Sequence, residues 1–238
     1  MGPAVTGGAT CVVHLADPGG LSPRHDRVLS EQEAERAARF VREADRARYV
    51  AATALLRAAA GALTGMPPAA VALDRSCPRC GKPHGRPRLP GTGLHASIAH
   101  SGACVAVALT RAGPVGVDVE EIGAAPDEAL LVAACAPQER PHARDAVGFF
   151  RCWTRKEAVL KATGDGLEVP MTAVAVTPPA APPALVAYGA RPLEARLLDF
   201  EPRAGYAGAV AVLTRDPVEL AVREGTALLV AAPAGRAA

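Results

Sequence analysis

Apolar and polar residues alternate along the chain in a way that divides it into strands and helices. Short apolar runs bounded by Gly and Pro predict strands over 10–16, 94–98, 103–110 and 115–122, with further strands near the end. Longer runs at helical spacing predict helices from a capping box at Ser30, over 44–63, around 126–135 and over 147–163. The Pro-rich segment 177–184 predicts a hairpin connection. The order of elements indicates an α+β fold.

The second half of the chain repeats features of the first. Arg48 lies 13 residues before Gly61, and Arg151 lies 13 residues before Gly164, which is an offset of 103. The predicted strand VAVALT resembles AVAVLT at an offset of 104. Two landmarks at nearly one offset predict a duplicated α+β unit of about 104 residues.

Composition narrows the class of protein. The 238 residues include 26 Lys plus Arg and 24 Asp plus Glu, a net charge of +2, and the basic residues are scattered. This argues against a nucleic-acid platform. No apolar run approaches the ~18 residues that span a bilayer, and the start has no basic region before an apolar core, so we expect no membrane segment or export signal. Six scattered cysteines suit reduced thiols, and we expect a cytoplasmic protein.

Two carboxylates in the segment GVDVEEI can carry chemistry. On a strand, Asp118 and Glu120 project to one face while Val117 and Val119 enter the core. Neighbouring carboxylates repel each other unless a cation lies between them, and all-oxygen ligands suit Mg²⁺ more than Zn²⁺. The alternative is an edge strand with a solvated acidic face. The segment alone favours neither interpretation.

A second segment, FFRCWTRKEAVLKATGDGL, favours the metal site. Glu157 and Lys161 are four residues apart and share one face of the predicted helix. The simple interpretation is a surface ion pair worth about 0.3–0.5 kcal/mol. The other makes Glu157 a third metal ligand and Lys161 a positive charge for phosphate. Three carboxylates and a lysine are the groups needed to bind a Mg²⁺–pyrophosphate unit.

Together the two segments resemble the paired signature of the Sfp-type 4′-phosphopantetheinyl transferases. Spacing, residue types and order agree with a Gly-x-Asp-x-Glu strand followed by a Trp-x-x-Lys-Glu-Ala-x-x-Lys helix. The resemblance covers about residues 40–215 and includes Arg48, the loop 85–87 and the segment 98–102. It implies an enzyme that transfers the 4′-phosphopantetheine arm of coenzyme A to a serine of an acyl-, polyketide- or peptidyl-carrier protein, releasing adenosine 3′,5′-bisphosphate.

The resemblance also implies roles for individual residues. Asp118, Glu120 and Glu157 would hold Mg²⁺ or Mn²⁺ against the pyrophosphate. Lys161 would neutralise charge as the phosphodiester breaks, and Glu157, or a water held by the acidic group, would be the base for the serine. The implied coenzyme A contacts are Arg48, Arg86, Pro87, Ala99, His100 and Lys161, and the arginines suit bidentate contact with phosphate.

The implied architecture is a monomer folded as a pseudo-dimer of two similar α+β halves, with the active site between them. We expect an N-terminal half on the coenzyme A side over 1–112 and a C-terminal half with the metal and catalytic residues over 113–225. A flexible tail is expected over 226–238.

Two positions depart from the family pattern. Ala99 stands where the family usually has Ser, so a hydroxyl expected at the pyrophosphate is missing, and Ser101 or backbone amides would substitute. Restoring it with Ala99→Ser is expected to tighten coenzyme A binding. Arg86 stands where Lys is common, which keeps the charge.

A competing interpretation rests on Cys77, Cys80 and His84, which have the spacing of half a zinc site. A structural zinc site needs four ligands, no second Cys-x-x-Cys follows at ribbon spacing, and His95 would contribute only through an unusual loop. The rival functions are a zinc-stabilised binding module and a nucleotide-binding enzyme of another class. The second lacks both G-x-x-x-x-G-K-[ST] and a G-x-G-x-x-G turn between strand and helix.

Overall fold

The computed structural model describes residues 9–231 of the chain. Its five α-helices are α1 (Glu31–Ala38), α2 (Glu43–Thr64), α3 (Glu128–Ala134), α4 (Ala146–Thr163) and α5 (Thr226–Ala231). Its ten strands are β1 (Ala9–Ala16), β2 (Arg88–Leu89), β3 (Leu94–Ser101), β4 (Cys104–Thr110), β5 (Val115–Glu121), β6 (Val174–Val176), β7 (Leu185–Tyr188), β8 (Arg196–Phe200), β9 (Tyr206–Val212) and β10 (Val218–Glu224). Short 3₁₀ helices lie at Pro18–Gly20, Pro23–Val28, Pro68–Ala70, Arg140–His142, Gly166–Glu168 and Met171–Ala173.

The strands form three sheets. The first has the order β10-β1-β4-β3-β2, the second β5-β9-β8, and β6 and β7 form a hairpin. Only β1 and β10 among these pairs run parallel, with Ala9 opposite Val218. The strand β10, which the sequence assigns to the C-terminal half, thus lies in the sheet of the N-terminal half.

Local signals in the sequence set the ends of the long helices. The Ser30 hydroxyl accepts from the Glu33 amide, and the Glu33 carboxylate accepts from the Ser30 amide, which confirms the capping box. The helix α2 ends at Gly65 and α4 ends at Gly164, both in the left-handed region with φ of 73° and 81°. The Pro-rich segment 177–184 connects β6 to β7, as predicted.

The core consists of apolar layers between helices and sheets. One cluster lies between α2 and the first sheet and includes Leu55 and Val107. A second lies between α4 and the second sheet and includes Val159 and Ala209. A third lies between the two sheets, where Val117 is fully buried. The sheets are therefore covered on their outer faces by one long helix each.

The end of the described chain packs on this core. Residues 226–231, which the sequence assigns to a flexible tail, form α5 instead, because the side chain of Leu229 is buried in the cluster beside α2. The rest of that predicted tail, 232–238, lies outside the described residues. In the described part of the chain, no helix is both long and apolar enough to cross a membrane.

Candidate active site

The site is built where α4 crosses β5. Val117 and Val119 face the cluster between the sheets, so Asp118 and Glu120 project from the other face of β5, as the alternation predicts. A side chain at Gly116 would collide with the backbone carbonyl of Ala158 in α4. The glycine therefore allows the helix to lie close against the strand, which brings the α4 side chains to the carboxylates.

Asp118 is the most buried carboxylate of the group. Lys161 Nζ donates to Asp118 Oδ1 at 2.6 Å, and Asp118 Oδ2 is buried without a hydrogen-bond partner. Burial raises the pKa of Asp118 to about 7; the charge of Lys161 opposes this rise, and those of Glu120 and Glu157 add to it. Even with Lys161 in contact, Asp118 is therefore only partly ionised at neutral pH, and a further positive charge would favour its ionised form.

Glu157 belongs to the same electrostatic group. Burial raises its pKa, Lys161 lowers it, and the charge of Glu120 raises it further. The structure thus brings together the three predicted carboxylates and Lys161, from β5 and α4. Their oxygen atoms do not all lie within 4.8 Å of one another.

The donor set of this group fits a hard divalent cation. Carboxylate oxygens are the ligands that Mg²⁺ takes in proteins, and it commonly keeps several waters. The unpartnered buried oxygen of Asp118 is a polar atom that a cation would satisfy. Because the three carboxylates are not at ligand spacing, shared binding of one cation would require movement of their side chains.

Two further predicted residues reach this group from the first sheet and α2. Arg48 donates to Asp45 Oδ1 at 2.6 Å and to the carbonyl of Gly102 at 3.2 Å, which fixes its guanidinium beside the end of β3. His100 keeps part of its side chain exposed. Its pKa is lowered, first by partial burial and then by the charges of Lys161 and Arg48, so the imidazole is neutral near pH 7.

A cleft of about 600 Å³ opens beside Lys161. One wall is the loop that contains Arg86 and Pro87, and the other is the end of α4 with Gly164 and Asp165. Arg86 donates to the carbonyl of Ala162 at 2.6 Å across the cleft wall. The cleft therefore lies between segments of the two predicted halves, and Lys161 lines it while contacting Asp118.

Three of the five cationic residues of the cleft were not singled out in the sequence analysis. Arg75, Arg79 and Arg88 line it with Arg86 and Lys161, against the two carboxylates Asp165 and Glu168. Burial lowers the pKa of Arg75, and its Nε is buried without a partner. The signal was present in the sequence, because the segment RSCPRCGKPHGRPR holds five Lys or Arg.

Ala99, which the resemblance implies as a coenzyme A contact, has a buried side chain. It is 4% exposed and packs in the cluster between the sheets, because odd-numbered residues of β3 face that cluster. Ala99 is not among the residues that line the cleft, although Ser97 on the same face of β3 is. Ser101, suggested as a substitute donor, uses its hydroxyl to accept from the Glu121 amide at 3.1 Å.

The two basic residues that precede Glu157 have a structural role. Lys156 is fully buried, forms an ion pair with Glu139 and donates to the carbonyls of Ala134 and Met171 at 2.8 and 3.1 Å. Arg155 is 1% exposed, and its Nε donates to Asp199 at 2.9 Å. These residues anchor α4 on its inner side, so that Glu157 and Lys161 present their side chains to the site.

Comparison with known proteins agrees with this geometry. A family model described as the 4′-phosphopantetheinyl transferase superfamily matches residues 114–211, from β5 to β9, which include all three carboxylates and Lys161.

Three relatives are similar to the chain. The 4′-phosphopantetheinyl transferase HetI of Nostoc sp. is 34% identical over 158 residues, which are 63% of this chain and 66% of the relative. The 4′-phosphopantetheinyl transferase of Bacillus subtilis is 27% identical over 66% of this chain and 70% of its own. The 4′-phosphopantetheinyl transferase AcpT of Salmonella typhi is 37% identical over 31% of this chain and 42% of its own.

The match spans slightly less than two thirds of the Nostoc relative. By the matching family model and these relatives, the chain is similar to the 4′-phosphopantetheinyl transferase superfamily.

Proposed function

We propose that this protein transfers the 4′-phosphopantetheine arm of coenzyme A to a serine hydroxyl of an acyl-, polyketide- or peptidyl-carrier protein. One observation carries the proposal: Lys161 contacts the buried Asp118 and also lines the basic cleft. A single side chain thus joins a carboxylate group suited to a cation with a cleft suited to a polyanion. A pyrophosphate needs both at one point.

The volume and the cationic residues of the cleft support coenzyme A as its ligand. Its volume of about 600 Å³ lies within the roughly 300–1,000 Å³ usual for small-molecule sites. Five cationic residues line it, and coenzyme A carries a pyrophosphate and a 3′-phosphate. We assign Arg86 and Pro87 to the cleft wall, and Arg48 and His100 to the 3′-phosphate and nearby groups.

The reaction transfers one phosphoryl group, the one that carries the pantetheine arm. The serine oxygen attacks the pantetheine phosphorus, a new P–O bond forms, and the anhydride P–O bond to the adenosine 3′,5′-bisphosphate breaks. The serine proton passes to a base, and the raised pKa of Glu157 supports this residue in that role. Lys161 neutralises charge on the phosphoryl oxygens.

Asp118, Glu120 and Glu157 would hold a divalent cation, Mg²⁺ or Mn²⁺. When bound, such an ion would supply charge neutralisation and orientation of the pyrophosphate. Asp118 would contribute the oxygen that is now without a partner.

The duplicated architecture is part of the proposal. The strand order β1-β4-β3 in the first sheet has the same form as β5-β9-β8 in the second, and each trio is covered by one long helix. We infer that these are two copies of one unit in a single chain, with the cleft between them. The protein would then act as a monomer.

A zinc-stabilised binding module explains less of the molecule. It gives no reason for a carboxylate with a raised pKa beside Lys161, or for a basic cleft at the same place. Those features follow directly from phosphoryl transfer.

The proposal is tested by incubating the full chain with Mg²⁺, a fluorescent coenzyme A analogue and a panel of apo carrier proteins. We expect label on at least one carrier, none on its variant with the acceptor serine replaced by alanine, and none in EDTA. Absence of labelling across fatty-acid, polyketide and peptide carriers, with folded protein and saturating Mg²⁺, would contradict the proposal.

A further inference from the structure

The loop between Asp74 and Arg88 has a fixed base. The amide of Asp74 donates to the carbonyl of Arg88 at 2.9 Å, and the amide of Arg88 donates back at 2.8 Å. Just inside, the amide of Gly85 donates to the carbonyl of Arg75 at 2.7 Å. The two ends of the loop are thereby held together.

The tip of this loop lacks a core. Every residue from 78 to 84 is exposed, so apolar burial contributes little to the order of the tip. Small segments without a core are commonly held by disulfides or metal ions. The cysteines of the tip, Cys77 and Cys80, are both free thiols.

Three metal-ligand side chains converge at this tip. One ligand atom each from Cys77, Cys80 and His84 lie within 4.8 Å of one another. The Cys80 sulfur is 2.9 Å from His84 Nε2. His95, which could contribute only through an unusual loop, lies in β3 opposite Arg88 and is not in this group.

The backbone of the turn supports the same arrangement. The amide of Gly81 donates to the carbonyl of Cys77 at 2.9 Å, and the amide of Cys77 donates to the carbonyl of Lys82 at 2.9 Å. Gly81 has a φ of 70°, which permits the tight turn.

We propose that Cys77, Cys80 and His84 bind one Zn²⁺, with its fourth coordination position turned to the cleft. Thiolate and imidazole ligands select zinc, whereas the carboxylates around Asp118 select a harder cation. Cys77 and His84 both line the cleft, so a water or another small ligand can reach the fourth position.

Zinc bound at the tip would stabilise the wall of the cleft that contains Arg86. Arg86 follows His84 by two residues and reaches across to the carbonyl of Ala162. The ion would order the exposed tip and so hold Arg86 in place. This role does not depend on the transferase reaction.

A second group with metal-ligand atoms, Cys135, Glu139 and Cys152, does not compete. It is fully buried, and Lys156 Nζ already forms an ion pair with Glu139 there. A cation at that point would face a fixed positive charge. The group instead offers an internal control.

The test measures metal content and needs no enzymatic activity. The full chain is reduced, loaded with Zn²⁺ and separated from excess metal by gel filtration. Its zinc content is then measured by elemental mass spectrometry. We expect about one zinc per chain, lost in Cys80→Ser and in His84→Ala. Retention is expected in Cys135→Ser and in His142→Ala, which removes an exposed histidine elsewhere.

A second measurement identifies the ligands. Co²⁺ in place of zinc should give a thiolate-to-metal absorption band in the near ultraviolet that disappears in Cys80→Ser. The proposal is overturned if the loaded wild type holds no zinc or if Cys80→Ser retains zinc. It is also overturned if thiol counting of the metal-free protein under air shows a disulfide and if reduction followed by Zn²⁺ does not convert that disulfide into a zinc site. These readouts measure metal binding and not carrier labelling, so the zinc site and the proposed transferase function can be contradicted independently.

Discussion

Lys161 Nζ donates to Asp118 Oδ1 at 2.6 Å, while the second oxygen of the same carboxylate is buried without a partner. An unsatisfied buried oxygen is costly, and burial already raises the pKa of Asp118 to about 7. Such an arrangement is costly for stability and useful for ligand binding. It makes Asp118 the residue on which the proposed cation site depends most.

Asp118→Ala should therefore abolish most of the proposed activity. We expect a loss in kcat/KM well above the ~10–100-fold typical of residues that only orient metal ligands. The matched control is Glu121→Ala, because Glu121 ends the same strand with an exposed side chain. Steady-state labelling of a carrier, with thermal unfolding to verify the fold, makes the comparison. Activity of Asp118→Ala within a few-fold of wild type would contradict the cation assignment.

The buried ion pair between Glu33 and Arg57 should contribute strongly to stability. Glu33 accepts from Arg57 Nη2 at 3.1 and 2.9 Å, and both side chains are nearly inaccessible. Glu33→Ala leaves a buried positive charge, so we expect the free energy of unfolding to fall by about 3–5 kcal/mol.

Urea denaturation measures this change. The control is Glu35→Ala on the same helix, whose pair with Arg39 is 3.6 Å long and exposed, and which should cost below about 1 kcal/mol. Equal effects of the two variants would show that the buried pair is not the source of the stability.

Arg48 and Lys161 should respond differently to loss of the 3′-phosphate. If Arg48 binds that group, the penalty of Arg48→Ala on kcat/KM should vanish with 3′-dephospho-coenzyme A, whereas the penalty of Lys161→Ala should remain. Arg46→Ala is the control, because Arg46 lies on the same helix but pairs with Asp26 and Glu43. Equal penalties of Arg48→Ala with both substrates would make Arg48 structural, through its bonds to Asp45 and Gly102.

Strand alternation in GVDVEEI predicted that Asp118 and Glu120 share a face, because period 2 follows from backbone geometry alone. The capping box at Ser30 and the stop at Gly164 were predictable for the same local reason. The position of Ala99 was not, since the face of β3 that meets the second sheet depends on how the sheets pack. The parallel pairing of β10 with β1 also joins residues far apart in the chain, and no local pattern marks it.

Stability at acid pH should depend on Asp165. The Tyr188 hydroxyl donates to it at 2.5 Å and Arg191 at 2.9 Å, and these bonds lower its pKa. A carboxylate whose pKa is lower in the folded than in the unfolded protein stabilises the fold at pH values above its unfolded pKa of about 3.9. This contribution is lost as the pH falls through the folded pKa.

Asp165→Asn should therefore be less stable than wild type at pH 7, and the difference should shrink below about pH 4. Urea denaturation across this pH range measures it, with Asp216→Asn, an exposed side chain, as the control. A difference that does not change with pH would show that the charge of Asp165 is not involved.

Ala99→Ser should lower stability and leave coenzyme A binding unchanged. The resemblance implied tighter binding, but the Ala99 side chain is 4% exposed in the cluster between the sheets, opposite Ala106 on β4. Adding an atom to this closely packed cluster costs about 1–3 kcal/mol. A hydrogen bond from the Val119 amide, like those that the Ser97 and Ser101 hydroxyls accept from the Val117 and Glu121 amides, would offset about 0.5–1.5 kcal/mol of this cost. Urea denaturation and calorimetric titration of coenzyme A measure the two effects. Ala103→Ser, at an exposed turn, should change the free energy of unfolding by less than about 0.5 kcal/mol. Tighter binding by Ala99→Ser with unchanged stability would mean that β3 turns this side chain to the cleft, and the assignment of His100 on the opposite face would be wrong with it.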